Sequence, residues 1–164
     1  NKKDYQKLIK KQNSYKLAEV KGKASSAFAS NWENKTIELG KNTFGWKSLK
    51  LNFGKKEVTM TVTETNGKSY ELPFGYQQWM TTTFDSYPPY SITPIDRFKG
   101  LEGPYYASGS YAWISKEELQ LKVHYVNWVS ALEITFRLDE NGEVKLNVQT
   151  NYIKKPYSIS GKIK

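Results

Sequence analysis

Few residues in this 164-residue chain have the types and spacing that catalysis requires. The chain contains one histidine, His124, and no cysteine. The alternation of apolar and polar residues places His124 with Gln120 and Lys122 on the polar face of a strand, which predicts an exposed surface histidine rather than a catalytic base. A zinc site without cysteine would need three or more carboxylates beside this histidine, and no spacing of that kind occurs.

The common nucleophile and phosphate-binding motifs are also absent from the sequence. No serine is followed three positions later by lysine, and neither a G-x-S-x-G elbow nor a phosphate-binding glycine loop occurs. The acidic pairs Glu117-Glu118 and Asp139-Glu140 fall in turn segments, where both carboxylates of a pair point into solvent. We therefore predict that this chain is not an enzyme, with no catalytic residue, no cofactor and no metal site.

Aromatic residues are the most prominent chemical feature, at 15% of the chain with five Trp and twelve Tyr. Rings that fill the core of a barrel explain most of them, and a ligand pocket is the alternative. Aromatic residues that break the two-residue alternation are better candidates for contact with a partner or ligand, because the core does not account for them. These candidates are Tyr76, Trp79, Phe84, Tyr87, Tyr90, Tyr106 and Trp128.

The elements that would position these residues are strands. Apolar and polar residues alternate with a period of two, as at Leu49, Leu51 and Phe53, and Asn66-Gly67 supplies a tight hairpin turn. Short connections force antiparallel neighbours, and a sheet of many strands tends to curl and close. We predict an all-β, mainly antiparallel fold: a lipocalin-like up-and-down β-barrel of about eight to ten strands with a short N-terminal helix. A two-sheet β-sandwich is the alternative.

The N-terminal residues follow a different pattern. Tyr5, Leu8 and Ile9 fit an amphipathic helix from Asp4 to about Gln12, and the small polar stretch 21–26 indicates a linker. We predict that residues 1–23 are a helical linker from an upstream domain and that 24–164 form a single barrel-like domain. Residues 85–104 contain four prolines and form the one long irregular connection, of a kind that is often functional.

The net charge of +9 comes from the two ends of the chain. Residues 1–23 carry +6 and residues 154–164 carry +4, so the segment between them is close to −1. A basic stripe across the folded body is what nucleic-acid binding would need, and the sequence lacks it. The chain also has no apolar run long enough to span a membrane. We predict neither nucleic-acid binding nor membrane insertion, and the oligomeric state stays open.

From about Trp32 onward, over about 130 residues, the chain resembles the C-terminal accessory domain of serine hydrolases related to class C β-lactamases and penicillin-binding proteins. The residues that carry the resemblance are Ile37-Glu38-Leu39, Asn42, Gly45 to Phe53, Glu71-Leu72-Pro73-Phe74-Gly75, Trp79, Ala107 to Trp113 and the strand pair from Leu119 to Phe136. An acidic residue often stands in that family where this chain has Asn127. The resemblance implies an upstream catalytic domain in the same polypeptide as the partner, and an extracytoplasmic location in the periplasm or cell envelope.

Two hypotheses for function follow. As a non-catalytic accessory domain, the chain would pack on the upstream catalytic domain and support it, which predicts an exposed apolar or aromatic patch of some hundreds of Å². As a free-standing small-ligand-binding β-barrel, it would enclose an internal cavity of at least about 300 Å³.

Overall fold

The structure is a computed structural model, and it describes residues 2–89, 103–139 and 141–164. The described residues form one α-helix, one 3-10 helix and ten strands. The elements are α1 (Lys2–Ser14), the 3-10 helix (Ala27–Asn31), β1 (Thr36–Leu39), β2 (Trp46–Phe53), β3 (Glu57–Glu64), β4 (Ser69–Tyr76), β5 (Met80–Phe84), β6 (Tyr105–Trp113), β7 (Glu118–Tyr125), β8 (Ala131–Leu138), β9 (Glu143–Thr150) and β10 (Tyr157–Ile163).

The ten strands make one sheet in the order β4-β3-β2-β1-β10-β9-β8-β7-β6-β5, with every neighbouring pair antiparallel. The sheet closes on itself because β4 also pairs in parallel with β6, where Phe74 lies opposite Gly109 and Tyr76 opposite Tyr111. Strand β5 occupies the first half of the same edge of β6, from Tyr105 to Gly109. The prediction of an up-and-down β-barrel with a short N-terminal helix is confirmed, and the sandwich alternative does not apply.

The strands form where the two-residue alternation predicted them. Along β7, Leu119, Leu121 and Val123 are buried and the residues between them are only partly so, which gives each strand one core face and one outer face. Tight turns join several of the neighbouring strands, and Gly67 and Gly142 at two of these turns adopt positive φ, the region that favours glycine.

The barrel interior is filled by side chains. Trp32, Leu51, Met60, Phe74 and Phe136 each have no solvent-accessible surface. A side chain that lines a cavity of ligand size would be reachable by a water-sized sphere, so these residues border no such space. The internal cavity that the ligand-carrier hypothesis predicts is not found beside them, and a ligand site would have to lie at an end of the barrel.

One end of the barrel is plugged by the 3-10 helix and the residue that follows it. Trp32 packs there with its ring stacked on Trp113 at 5.5 Å and with Phe28 edge-on at 5.9 Å. Ser26 caps the 3-10 helix by accepting a hydrogen bond from the Phe28 N–H at 3.1 Å. We call this the plugged end.

Residues 17–24 form an N-terminal strap that lies on the outside of the barrel. The N–H groups of Lys23 and Trp113 each donate to the other residue's carbonyl at 2.9 Å, and Val20 is buried with its N–H directed at Ser110 Oγ, 3.3 Å away. Ser110 and Ala112 therefore have no exposed surface although they face outward. The stretch 21–26, predicted to be a linker, is thus for the most part fastened to β6.

Candidate functional site

Five connections meet at the end of the barrel opposite the plug, because antiparallel strands return there in turn. They join β1 to β2, β3 to β4, β5 to β6, β7 to β8 and β9 to β10. Large apolar side chains gather at this end. We call the set formed by Phe44, Tyr87, Trp128, Tyr152 and Tyr157 the aromatic rim.

Phe44 belongs to the aromatic rim and is held firmly by its contacts. Its ring stacks on Trp46 at 4.8 Å and meets Tyr157 edge-on at 5.1 Å. Asn42 fixes the backbone of this loop: its Oδ1 accepts from the N–H groups of Phe44 and Trp46 at 3.1 and 3.2 Å, while its Nδ2 donates to the Trp46 carbonyl at 2.7 Å. A ring presented in this way loses little further freedom when it contacts a ligand.

Two surface recesses share Phe44. The first has a volume of about 390 Å³ and is mainly apolar. Its lining is Thr43, Phe44, Tyr152, Ile153 and Tyr157. The second has a volume of about 330 Å³ and is mainly polar. Its lining is Phe44, Gly45, Glu64, Thr65, Asn66, Lys68, Asp85, Ser86, Tyr87 and Pro88.

Glu64 organises the polar recess. Its carboxylate accepts hydrogen bonds from Ser86 Oγ and from Asn66 Nδ2, the latter at 2.9 Å. Burial raises the pKa of Tyr70 well above its ordinary value and the Glu64 carboxylate raises it further, while a hydrogen bond from Trp46 acts in the opposite direction. Tyr70 is therefore a neutral phenol at physiological pH.

The opposite side of the rim is built on Tyr105. Trp128 contacts the Tyr105 ring edge-on at 5.4 Å, and Tyr87 lies 5.6 Å from it. Asn127 ties the β7–β8 turn to β6, because its Oδ1 accepts from the Tyr106 N–H at 2.9 Å and its Nδ2 donates to the Pro104 carbonyl at 3.1 Å. A carboxylate could not make the second bond, which explains why an amide suits this chain at the position where the resembling family often has an acid.

Two buried polar atoms lie below this side of the rim. The Tyr125 hydroxyl and Ser130 Oγ have no hydrogen-bond partner among the described residues. Burial raises the pKa of Tyr125, and the neighbouring Tyr70 and Tyr152 act in the same direction, so the phenol stays protonated.

The structure divides the predicted contact residues into two groups. Tyr87, Tyr106 and Trp128 lie at the rim end, and Tyr87 is 47% exposed. Phe84 lies at the same end but is buried beneath it, in contact with the rings of Tyr70, Tyr105 and Tyr125. Tyr90 lies outside the described residues.

Tyr76 and Trp79, the other two predicted contact residues, lie on the barrel wall and hold the strap. The Tyr76 hydroxyl donates to the Gly22 carbonyl at 3.1 Å, and Trp79 Nε1 donates to the Leu17 carbonyl at 2.9 Å. Their side chains are thus occupied by the protein's own N-terminal segment.

The prediction that His124 is an exposed surface histidine is wrong. The Trp79 ring covers it edge-on at 5.2 Å, and its Nε2 is buried with no partner in the described part of the chain. Burial lowers the pKa of His124, the Lys122 ammonium lowers it as well, and Glu133 acts in the opposite direction. Alternation within β7 could not predict this burial, because the covering residue, Trp79, belongs to the β4–β5 turn.

Sequence reasoning missed Phe44, Tyr152 and Tyr157. A signal existed for Phe44, because Asn42 and the positive-φ Gly45 bracket an aromatic residue in a short loop between two strands. Tyr152 lies in the β9–β10 connection, where nothing in the sequence distinguishes a rim residue from an ordinary turn residue.

Within the described ranges, no cluster of three or more His, Cys, Asp or Glu side chains could hold a metal ion. In the same part of the chain, no helix has the length and apolar character needed to cross a membrane.

No protein-family model matches the chain, and no curated protein matches it. Among solved structures, the crystal structure of wild-type UnaG, a fluorescent protein, is similar over 77% of this chain and 93% of that one, with 11% sequence identity and a TM-score of 0.48. The fold assignment made above depends on the strand pairing of this chain itself.

Proposed function

We propose that this chain is a non-catalytic small-ligand-binding β-barrel whose site lies at the aromatic rim rather than inside the barrel. The observation that carries the proposal is that one rigid ring, Phe44, is shared by an apolar recess of about 390 Å³ and a polar recess of about 330 Å³. Both volumes fall within the roughly 300–1,000 Å³ of ordinary ligand pockets.

The chemistry of the two recesses defines the ligand. The apolar recess offers the faces and edges of Phe44, Tyr152 and Tyr157 to a flat apolar or aromatic body. Among the described residues that line it, the polar recess offers the carboxylates of Glu64 and Asp85 against one cation, Lys68. A hydrogen-bond donor or a cation is therefore preferred there over an anion, and we expect an aromatic ligand that carries a hydroxyl or amino group.

The test compares two small probes on the full chain. Phenethylamine and phenylacetate have similar ring bodies and opposite charges, and amide chemical shifts in NMR spectra report where each one binds. We expect phenethylamine to shift resonances of residues 42–46, 64–68 and 152–157, and phenylacetate to bind at least about tenfold more weakly, because Glu64 repels it.

Two variants and one control make this test decisive. Phe44→Ala should abolish the shifts, and Glu64→Gln should reduce the preference for the amine. Ile114→Ala removes an exposed apolar side chain at the plugged end and should change nothing. Binding of both probes with equal affinity, or binding that survives Phe44→Ala, would refute the rim site.

A second candidate function is the non-catalytic accessory domain of a β-lactamase-related serine hydrolase, which would pack on an upstream catalytic domain. Exposed apolar residues at the rim end extend beyond the two recesses, with Val126 and Val129 each more than half exposed on the β7–β8 turn. A patch of that extent favours a protein surface over a small ligand alone.

Hydrogen exchange separates the two candidates. The accessory-domain hypothesis predicts that, in a protein that carries an upstream catalytic domain, the amides of residues 126–130 exchange more slowly than in the isolated chain. Unchanged exchange, together with the absence of an in-frame Ser-x-x-Lys ahead of Asn1, would remove this candidate and leave the ligand site untouched.

A further inference from the structure

The helix α1 exposes an apolar face. At about 100° per residue, Tyr5, Leu8 and Ile9 share one side of the helix. Tyr5 is 64% and Leu8 60% exposed, and none of the residues Lys2–Ser14 is buried. Just beyond the helix, Tyr15 is 72% exposed and Leu17 50%. Large apolar side chains are thus presented to solvent along a short segment.

The opposite side of α1 is cationic. Lys3, Lys7, Lys10 and Lys11 lie within about a third of the helix circumference, away from Tyr5 and Leu8. Five lysines and one aspartate give residues 2–14 a net charge of +4, whereas the segment between residues 24 and 153 is close to −1. The charge of this region is therefore a local property of α1 and its surroundings.

The strap fastens this helix to the barrel. Trp79 Nε1 holds the Leu17 carbonyl at 2.9 Å, only three residues after the last residue of α1, and the buried Val20 follows. A partner that binds α1 is therefore held close to the outer surface of the barrel.

We infer that α1 docks this domain on the surface of a lipid bilayer that contains anionic phospholipids. The charge of α1 is complementary to such a surface, and a low overall hydrophobicity combined with a strongly charged face is typical of helices that lie in the interface. An apolar face of three residues is far smaller than the roughly 800 Å² that each partner of a stable protein complex contributes. A bilayer demands no matching shape, so a small face suffices.

The helix would lie along the surface without crossing it. Its 13 residues extend over about 20 Å, which is shorter than the roughly 30 Å hydrocarbon core. Tyr5, Leu8 and Ile9 would enter the headgroup region, and the lysines would remain at the level of the phosphates.

The test is cosedimentation of the full chain with vesicles. One set consists of phosphatidylcholine alone, and the other contains about 30% phosphatidylglycerol, each at about 50 mM and about 500 mM NaCl. We expect binding to the anionic vesicles at least about tenfold tighter than to the neutral ones, and a loss of most of that binding at high salt.

Matched variants separate α1 from the rest of the chain. Lys7→Glu/Lys10→Glu and Leu8→Asp should each weaken binding at least about tenfold. The controls are Lys154→Glu/Lys155→Glu, which makes the same charge change at the exposed β9–β10 connection, and Ile114→Asp at the plugged end; both should leave binding nearly unchanged. Circular dichroism of every variant checks that the barrel remains folded.

Three outcomes would overturn the inference. They are no preference for anionic vesicles, an equal loss of binding in the Lys154→Glu/Lys155→Glu control, and binding that Leu8→Asp leaves unchanged. In the last case the attraction would be charge alone, and α1 would then fit an acidic protein surface equally well.

Discussion

Replacing Gly22 by alanine should detach the N-terminal strap from the barrel. An ideal Cβ at this position would lie 2.2 Å from the Trp113 carbonyl oxygen and 2.9 Å from its carbon. Trp113 is the last residue of β6 and belongs to the sheet, so the strap is the part that must move. The two hydrogen bonds between Lys23 and Trp113 and the one from Tyr76 to the Gly22 carbonyl would then be lost.

The magnitude follows from these contacts. Each hydrogen bond contributes about 0.5–1.5 kcal/mol net, and the movement also exposes the apolar side chain of Val20. The total is about 3 kcal/mol of unfolding free energy. For a chain of this length, that corresponds to a fall in Tm of about 6–12 °C.

Urea and thermal unfolding measure the loss, and brief trypsin digestion measures strap release through cleavage after Lys16 and Lys21. The matched control is Gly40→Ala, where the nearest atom to a new Cβ is the Ser160 oxygen at an ordinary 3.4 Å. That variant should unfold within about 1 kcal/mol of the parent. If Gly22→Ala is as stable and as protease-resistant as Gly40→Ala, the strap does not contribute to the barrel as argued here.

Three further predictions concern the wall, the covered histidine and the rim. Gly109→Ala should open the β4–β6 pairing, because the new Cβ would lie 2.3 Å from the Pro73 oxygen. Faster amide exchange in both strands would show the opening, and unchanged exchange would contradict the prediction. His124 should titrate below its ordinary pKa of about 6.5 in NMR spectra. Because the unfolded chain then binds the proton first, the free energy of unfolding should fall as pH drops from about 7 toward the lowered pKa. His124→Gln should remove this pH dependence. Asn127→Asp loses the bond to the Pro104 carbonyl and should cost about 0.5–1.5 kcal/mol in urea unfolding, and a neutral effect would rule out this role.

The barrel could be predicted from the sequence because it depends on patterns within single strands and on short turns between neighbouring strands. Alternation within β7, β8 and β9 fixes which side of each strand is buried, and short turns such as Asn66-Gly67 fix which strands are neighbours. Helix α1 extends two residues beyond the predicted Asp4–Gln12 range at each end.

The strap could not be predicted in the same way, because its partners are distant in sequence. Val20 and Ser110 are separated by 90 residues, and the strap itself has no periodic pattern. One sign was present: the outward residues Ser108, Ser110 and Ala112 are small, which suits a strand with a second layer against its outer face. The rim was partly predicted through Tyr87 and Trp128, while Phe44 depends on hydrogen bonds of Asn42 that no alternation pattern encodes.

The strap also determines how a mechanical force on the N-terminal helix is transmitted to the barrel. A pull applied to α1 reaches Leu17, then the bond to Trp79, and finally the paired backbone of Lys23 and Trp113 at the far end of β6. Lys23 and Trp113 form an isolated antiparallel bridge with one hydrogen bond in each direction. Tension on the N-terminus would therefore act close to the parallel β4–β6 pairing that closes the barrel. A chain that is tethered through α1 and a free chain would then differ in how readily β4 and β6 separate.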